Sequence, residues 1–339
     1  MMPMLSASLP SREPGPRDVT DDPIVIGLVN NMPDTALETT ERQFRELLSA
    51  ASDNFAVCLK LFSVPEVPRA EAGLTHISQH YENISELWAS HLDGLIVTGT
   101  EPRAPVLADE PYWATLTKLI DWAEDHVCST VWSCLAAHAA VLHLDGIERR
   151  PFRSKLSGVF DCMKATDHAI VAGVPSRWSV PHSRFNDLPE EALVSGGYRI
   201  LSQLAGAGAD MFVKQRRSLF LFVQGHPEYD PGALLREYRR DVRRFLAGKR
   251  DSYPEMPCGY FDEEAVAALT AFRQQALHNR HIDLFLSFPA AIAERKLAHV
   301  WFGPAVGIYA NWLAYLVEQR ALSRGSAKAH TDNNLKETG

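Results

Sequence analysis

Four short apolar runs, each followed by a stretch that reads as helix, leave this chain few folds to adopt. Residues 24–29, 94–98 and 218–224 are dense in Val, Ile, Leu and Phe, 130–133 reads Thr-Val-Trp-Ser, and their length is that of strands rather than helices. Because these runs are apolar without alternation, they predict strands covered on both faces. A further strand is expected at 56–62, and helices at 38–51, 112–126, 135–142 and 232–246. Strands alternating with helices imply a doubly wound, mostly parallel α/β sheet.

Past residue 248 the alternation stops. Residues 263–277, 288–297 and 304–322 read as extra C-terminal helices, the last with enough Trp, Tyr and Leu to bury one face. They predict a helical cap from about residue 260 on an α/β domain spanning 23–322, or a subunit contact in a homodimer. Residues 1–22, rich in Pro, Ser and Arg, read as a flexible arm, and the polar stretch 323–339 as a disordered tail.

The chemistry concentrates at Cys134 in Ser129-Thr130-Val131-Trp132-Ser133-Cys134-Leu135-Ala136. A strand that breaks directly into a helix puts the residue between them on a sharp turn above the helix amides. A thiol there ionises readily, and the thiolate is the nucleophile. Far downstream stands Gly225-His226-Pro227-Glu228. In an extended segment, side chains two positions apart point the same way, so Glu228 can orient His226 as base for Cys134. A lone cysteine at a strand end is more often core; the His226/Glu228 pairing is what favours catalysis. Cys134 and His226 both fall at strand C-termini, the edge where open α/β sheets bind ligands.

With 339 residues, 46% of them hydrophobic, the chain can bury a sizeable core. A formal net charge of −8 argues against general nucleic-acid binding. No run approaches the roughly 18 apolar residues of a membrane span, and the N-terminus lacks the apolar stretch of a signal peptide. A cytoplasmic protein without membrane or nucleic-acid partners is expected. Cys58, Cys128, Cys134, Cys162 and Cys258 form no CxxC pair, which supports neither a disulfide framework nor a zinc site.

Several motifs in one order carry a resemblance: Asn30-Asn31-Met32-Pro33, Glu38-Thr39-Thr40-Glu41-Arg42-Gln43, Asp93 to Gly99, Tyr112-Trp113, Cys134, Lys155-Leu156-Ser157-Gly158-Val159, Pro181-His182-Ser183-Arg184, the Gly225 to Asp230 stretch, Arg240-Asp241 and Asn311 to Tyr315. The chain resembles the homoserine O-acyltransferases of the succinyltransferase type, built on the class I glutamine amidotransferase fold. That resemblance implies Cys134, His226 and Glu228 as catalytic residues and the Leu135 amide as part of an oxyanion hole. It also implies Lys155, Ser183 and Arg240 at the substrate, an acyl-CoA co-substrate (succinyl-CoA or acetyl-CoA), an amino-acid acceptor, no metal and no permanently bound cofactor. By themselves, single Lys and Arg residues are usually solvated charges. His182 and Arg184 are weaker candidates, and His126 and His138 read as surface or structural.

The chain departs from the family pattern in three places. No lysine follows Met32-Pro33 near the oxyanion; Trp301-Phe302-Gly303-Pro304 replaces a more polar segment; and Arg103 stands where succinyl-transferring members carry Gly and acetyl-transferring ones Glu. An inward Arg103 would pair with a succinyl carboxylate, whereas a one-residue shift of the loop would bring Glu101 inward instead. The main alternative is a glutamine amidotransferase-like amidase using the same triad, although Trp132, Ser133, Leu135 and Ala136 lack the glycines of its usual elbow. A non-enzymatic binding protein on the same fold is the third reading.

Overall fold

The computed structural model describes residues 22–52 and 56–337, with side chains to residue 324. Apart from Asp22, the expected N-terminal arm lies outside the described residues. The elements run β1 (Ile24–Val29), α1 (Asp34–Ala51), β2 (Val57–Phe62), α2 (Glu71–His80), α3 (Ile84–Leu87), β3 (Gly94–Val97), α4 (Trp113–His126), β4 (Ser129–Ser133) and α5 (Leu135–Asp145). They continue with β5 (Arg150–Lys164), β6 (Arg177–Asp187), α6 (Glu190–Ser195), β7 (Arg199–Leu204), β8 (Gly208–Gln215), β9 (Leu219–Val223), α7 (Ala233–Leu246), α8 (Glu263–His278), α9 (Ala290–Glu294) and α10 (Phe302–Glu337).

All nine strands join one sheet in the order β2-β1-β3-β4-β9-β8-β7-β5-β6. From β2 to β9 the pairing is parallel, as the apolar runs predict. From β9 to β6 it is antiparallel, built from residues 150–215, which the sequence reading left unassigned. The parallel strands divide their side chains between two cores with a period of two. Ile24, Ile26, Leu28, Val131, Leu221 and Val223 face α1 and α10; Val29, Trp132, Phe220 and Phe222 face α4 and α5. A third cluster, around Tyr238, Val242, Phe245, Leu269 and Phe272, joins α7 to α8 as the expected helical cap.

The last helix covers the sheet rather than extending away from it. Ile308, Trp312, Leu313 and Leu316 are fully buried, and Trp312 Nε1 donates to Ser129 Oγ at 3.0 Å. Gly94 permits this contact, since a Cβ there would come within 2.8 Å of Leu316 and 2.9 Å of Trp312. Arg320 donates to the carbonyls of Pro23 and Asp22 at 2.9 and 3.0 Å and lies 3.4 Å from Asp93, tying α10 to the start of β1. The helix runs on to Glu337, past residue 322 where the sequence suggested disorder. Residues 323–337 hold no proline to end the helix. Trp312→Ala should destabilise the protein by about 3–5 kcal/mol and Trp312→Phe by clearly less, as measured by equilibrium urea unfolding.

Candidate active site

Strand β4 ends at Ser133 and α5 begins at Leu135, so Cys134 makes the turn alone. It does so at φ 53° and ψ −113°, the one non-glycine residue with positive φ among those described. Such a conformation costs about 1–3 kcal/mol and persists only where its surroundings enforce it. Here the Cys134 N–H donates to Val223 O at 2.7 Å, while its carbonyl accepts from Ala137 and His138 at 3.0 and 3.3 Å. Helix amides of the first turn lack intrahelical partners, so the Leu135 N–H at the start of α5 is a free donor beside Cys134. Gly99 packs against it: a Cβ at Gly99 would lie 2.9 Å from Leu135 N.

Beyond β9 the chain passes through Gln224 and Gly225 to His226, whose N–H donates to Pro181 O at 2.8 Å. His226 Nδ1 and Glu228 Oε1 are 2.8 Å apart, so the two side chains flanking Pro227 do point the same way. Both residues are buried, and the Tyr229 ring stacks on His226 at 4.2 Å. Burial disfavours the imidazolium, but Glu228 and Cys134, each hydrogen-bonded to the ring, outweigh it. The pKa of His226 is raised well above the ordinary histidine value. An imidazole set between a cysteine and a carboxylate is the geometry in which a base can serve a nucleophile.

A second cluster shares the same cavity of about 510 Å³. Lys155 comes from an irregular step in the β5–β6 pairing between Pro151 and Leu156, where an interrupted ladder re-aims side chains. Its Nζ lies 2.9 Å from Glu237 and 3.5 Å from Asp241. Ser183 donates to the same Glu237 oxygen as Lys155, and Tyr229 to the other at 2.6 Å. Arg240 Nε donates to Asp241 at 3.0 Å. Burial raises the Glu237 pKa, but Lys155, Arg240, Ser183 and Tyr229 together bring it down to about 2. The expected substrate residues Lys155, Ser183 and Arg240 are thus brought together, around carboxylates that sequence reading missed. The signal for those carboxylates was the spacing of Glu237, Arg240 and Asp241 on one helix face.

A profile of the homoserine O-succinyltransferase family matches residues 16–323. The chain belongs to that family. It is 46% identical over 298 residues to homoserine O-succinyltransferase of Methylorubrum extorquens, with 88% of each chain covered. The enzyme of the same name from Rhodopseudomonas palustris is 48% identical over 296 residues, 87% of this chain and 89% of that one. Among solved structures, a glutamine amidotransferase from Methylobacillus flagellatus covers 86% of this chain and 94% of its own at 13% identity and a TM-score of 0.48.

One expected substrate residue of this family member is misplaced by the sequence reading. Arg103 is exposed and does not line the cavity. Glu110 accepts the N–H groups of Arg103 and Ala104 at 2.6 and 2.7 Å, a hold that leaves Thr100, Glu101 and Pro102 on the cavity wall instead. The inward Glu101 is bound at both oxygens by Arg244, at 2.8 and 2.9 Å. In the first βα loop Asp34 stands just after Pro33 and takes Arg69 at 3.2 Å; Arg69, its side chain 3% exposed, also donates to Met32 and Asn30 carbonyls.

His138, read from the sequence as surface or structural, is buried and lines the cavity; burial pushes its pKa down to about 4, and Nε2 meets Gln224 at 2.9 Å. Cys162, His182 and Asp210 form a buried trio whose ligand atoms lie within 4.8 Å of one another. Asp210 lies 3.1 Å from His182 and accepts from Ser202 at 2.7 Å behind Gly225, and burial lowers the His182 pKa. Glu228→Gln should lower the pH at which His226 loses its proton, read by NMR titration of labelled imidazole. The stability that His226 gains from its raised pKa is full below the ordinary histidine value and lost as pH rises through the raised one. The variant's loss of stability should therefore be larger at pH 6 than at high pH.

Proposed function

We propose that the protein transfers a succinyl group from succinyl-CoA, through a thioester on Cys134, to the hydroxyl of homoserine. What carries the reading is that one cavity holds both the Cys134/His226/Glu228 constellation and the cluster of Lys155, Ser183, Glu237 and Arg240. The Cys134 thiolate attacks the thioester carbonyl, and the resulting oxyanion takes the Leu135 N–H. Collapse expels CoA as thiolate, which takes the proton from His226. Neutral His226 then removes the proton of the homoserine hydroxyl, whose oxygen attacks the acyl-enzyme. A second collapse releases the ester, returns the thiolate to Cys134 and leaves the proton on His226. Glu228 holds the ring in register throughout.

Homoserine matches the second cluster group by group. Its carboxylate suits Arg240 and Lys155, and its ammonium suits Glu237, which is ionised at neutral pH. Binding exchanges internal ion pairs for pairs with the substrate, so little uncompensated charge is buried at any stage. Family membership favours this acyl transfer over the amidase reading, and an acyl-CoA donor fits a cytoplasmic biosynthetic enzyme of methionine formation.

Purified protein given succinyl-CoA and homoserine should release free thiol together with O-succinylhomoserine, and should release no ammonia from glutamine; the reverse pattern would sink the proposal. Brief exposure to succinyl-CoA alone should leave one acyl adduct by intact mass, absent in Cys134→Ser. His226→Ala should lower turnover by about 10²- to 10⁴-fold. Glu237→Gln should raise KM for homoserine by about 10- to 100-fold, the worth of a charged hydrogen bond, while KM for the donor stays near its original value.

A further inference from the structure

If the donor is succinyl-CoA, as proposed above, its acyl chain brings a free carboxylate into a half-buried cavity, and an anion there needs a cation whose charge is not already spent. The cations on the cavity wall can be sorted on that criterion. Lys155 and Arg240 are engaged by Glu237 and Asp241 and fit the amino-acid substrate. Arg184 is held by Asp187 at 2.8 Å, Arg236 by Asp230 at 2.8 Å and Arg239 by Glu294 at 3.3 Å. Arg243 is exposed in the last turn of α7, its guanidinium 6.0 Å from the Phe285 ring, toward solvent. Arg184 also leaves Nη2 buried without a partner, but its charge is paired with Asp187, whereas among the described residues no carboxylate lies within ion-pair distance of Arg149. Arg149 lies between α5 and β5 and lines the cavity with Cys134, and its Nη1 is buried with no hydrogen-bond partner.

Two neighbouring groups are in the same condition. The Tyr112 hydroxyl and Glu110 Oε2 are also buried without partners, and both act electrostatically on Arg149, as does Cys134. Unsatisfied buried polar atoms in a native fold are few and call for a physical reason. Glu110 tempers the charge of Arg149 without pairing with it: its Oε1 accepts the N–H groups of Arg103 and Ala104, and it acts on the guanidinium through space alone. Tyr112 sits in a small recess that shares Thr98, Gly99, Thr100 and Leu135 with the main cavity, beside the expected oxyanion position. A guanidinium with a free donor on the cavity wall that holds the nucleophile, with a phenol in the adjoining recess, can receive a carboxylate a few bonds from the reacting carbonyl.

We propose that Arg149, assisted by the Tyr112 hydroxyl, binds the terminal carboxylate of the transferred acyl group and so selects a dicarboxylic over a monocarboxylic acyl-CoA. This assigns to Arg149 the donor recognition that the exposed Arg103 cannot provide. The interaction is made to the acyl chain, so it acts on the donor's specificity constant and not on homoserine binding.

The test compares succinyl-CoA with acetyl-CoA at saturating homoserine, using the full chain. Wild type should prefer succinyl-CoA. Arg149→Met should cut kcat/KM for succinyl-CoA by about 10- to 100-fold while leaving that for acetyl-CoA within about threefold, and Arg149→Lys should keep part of the preference. An equal fall for both donors, an unchanged ratio, or a wild type that prefers acetyl-CoA would each overturn the assignment. A measurement on wild type covers a variant that does not fold: free succinate, and not acetate, should protect Cys134 from iodoacetamide, and equal protection by the two would also overturn it. Failure of wild type to acylate homoserine with either donor would instead remove the function proposed above, leaving the protection experiment to judge the carboxylate site by itself.

Discussion

The parallel pairing of β4 with β9 is the constraint on which the site depends. Ser133 lies opposite Val223 in that pairing, and one step further the Cys134 N–H donates to the Val223 carbonyl. That hydrogen bond holds a left-handed cysteine at the strand end and sets the origin of the segment that carries His226. Nucleophile and base are separated by more than ninety positions in the chain yet leave adjacent strands of one sheet edge. Nothing local to either motif could place them so.

Around this edge, Arg149 apart, the protein keeps its charges compensated. Glu237 takes Lys155, Ser183 and Tyr229, Asp241 takes Arg240, and Glu101 takes Arg244. A cavity lined by several ionised groups is stable when each has a partner, because an unpaired buried charge is costly. The same groups can then exchange partners with a zwitterionic substrate at small net cost. Tyr229 links the two halves of the site, since its ring stacks on the catalytic His226 and its hydroxyl binds Glu237. Occupation of the acceptor cluster can in this way be felt at the base.

The two cores hold that edge rigid. On one face Trp132, Phe220 and Phe222 pack under α4 and α5; on the other, α1 and α10 cover Ile26, Val131 and Leu221. The covering by α10 comes from the far end of the chain and uses Trp312, bonded to Ser129 at the start of the strand that ends at the nucleophile. Position 94 has to be glycine for that seat to exist. The antiparallel extension has a different task. It delivers Lys155 and Ser183 to the cavity and the Pro181 carbonyl to the His226 N–H, so the cluster around Glu237 depends on it.

The sequence alone determined the parallel core, because continuous apolar runs of strand length fit no solvent-facing sheet, and it determined which side chains to bring together as a proposed triad, because Cys134 stands at a strand-to-helix junction and Pro227 leaves His226 and Glu228 on one side. The strands between residues 150 and 215 were not legible: their mixed polar and apolar residues carry weak periodicity, and antiparallel partners are chosen by contacts distant in sequence. The direction of the loop after β3 was likewise decided in three dimensions. Seven positions separate Arg103 from Glu110, and only the fold brings the Glu110 carboxylate onto the backbone amides that turn Arg103 outward and Glu101 inward. The role of Glu237 was hidden for the same reason, since a glutamate on a charged helix reads as a solvated face until tertiary structure surrounds it with Lys155, Ser183 and Tyr229. Sequence carries what short-range periodicity and backbone geometry impose; which charge meets which is settled by packing between segments far apart in the chain.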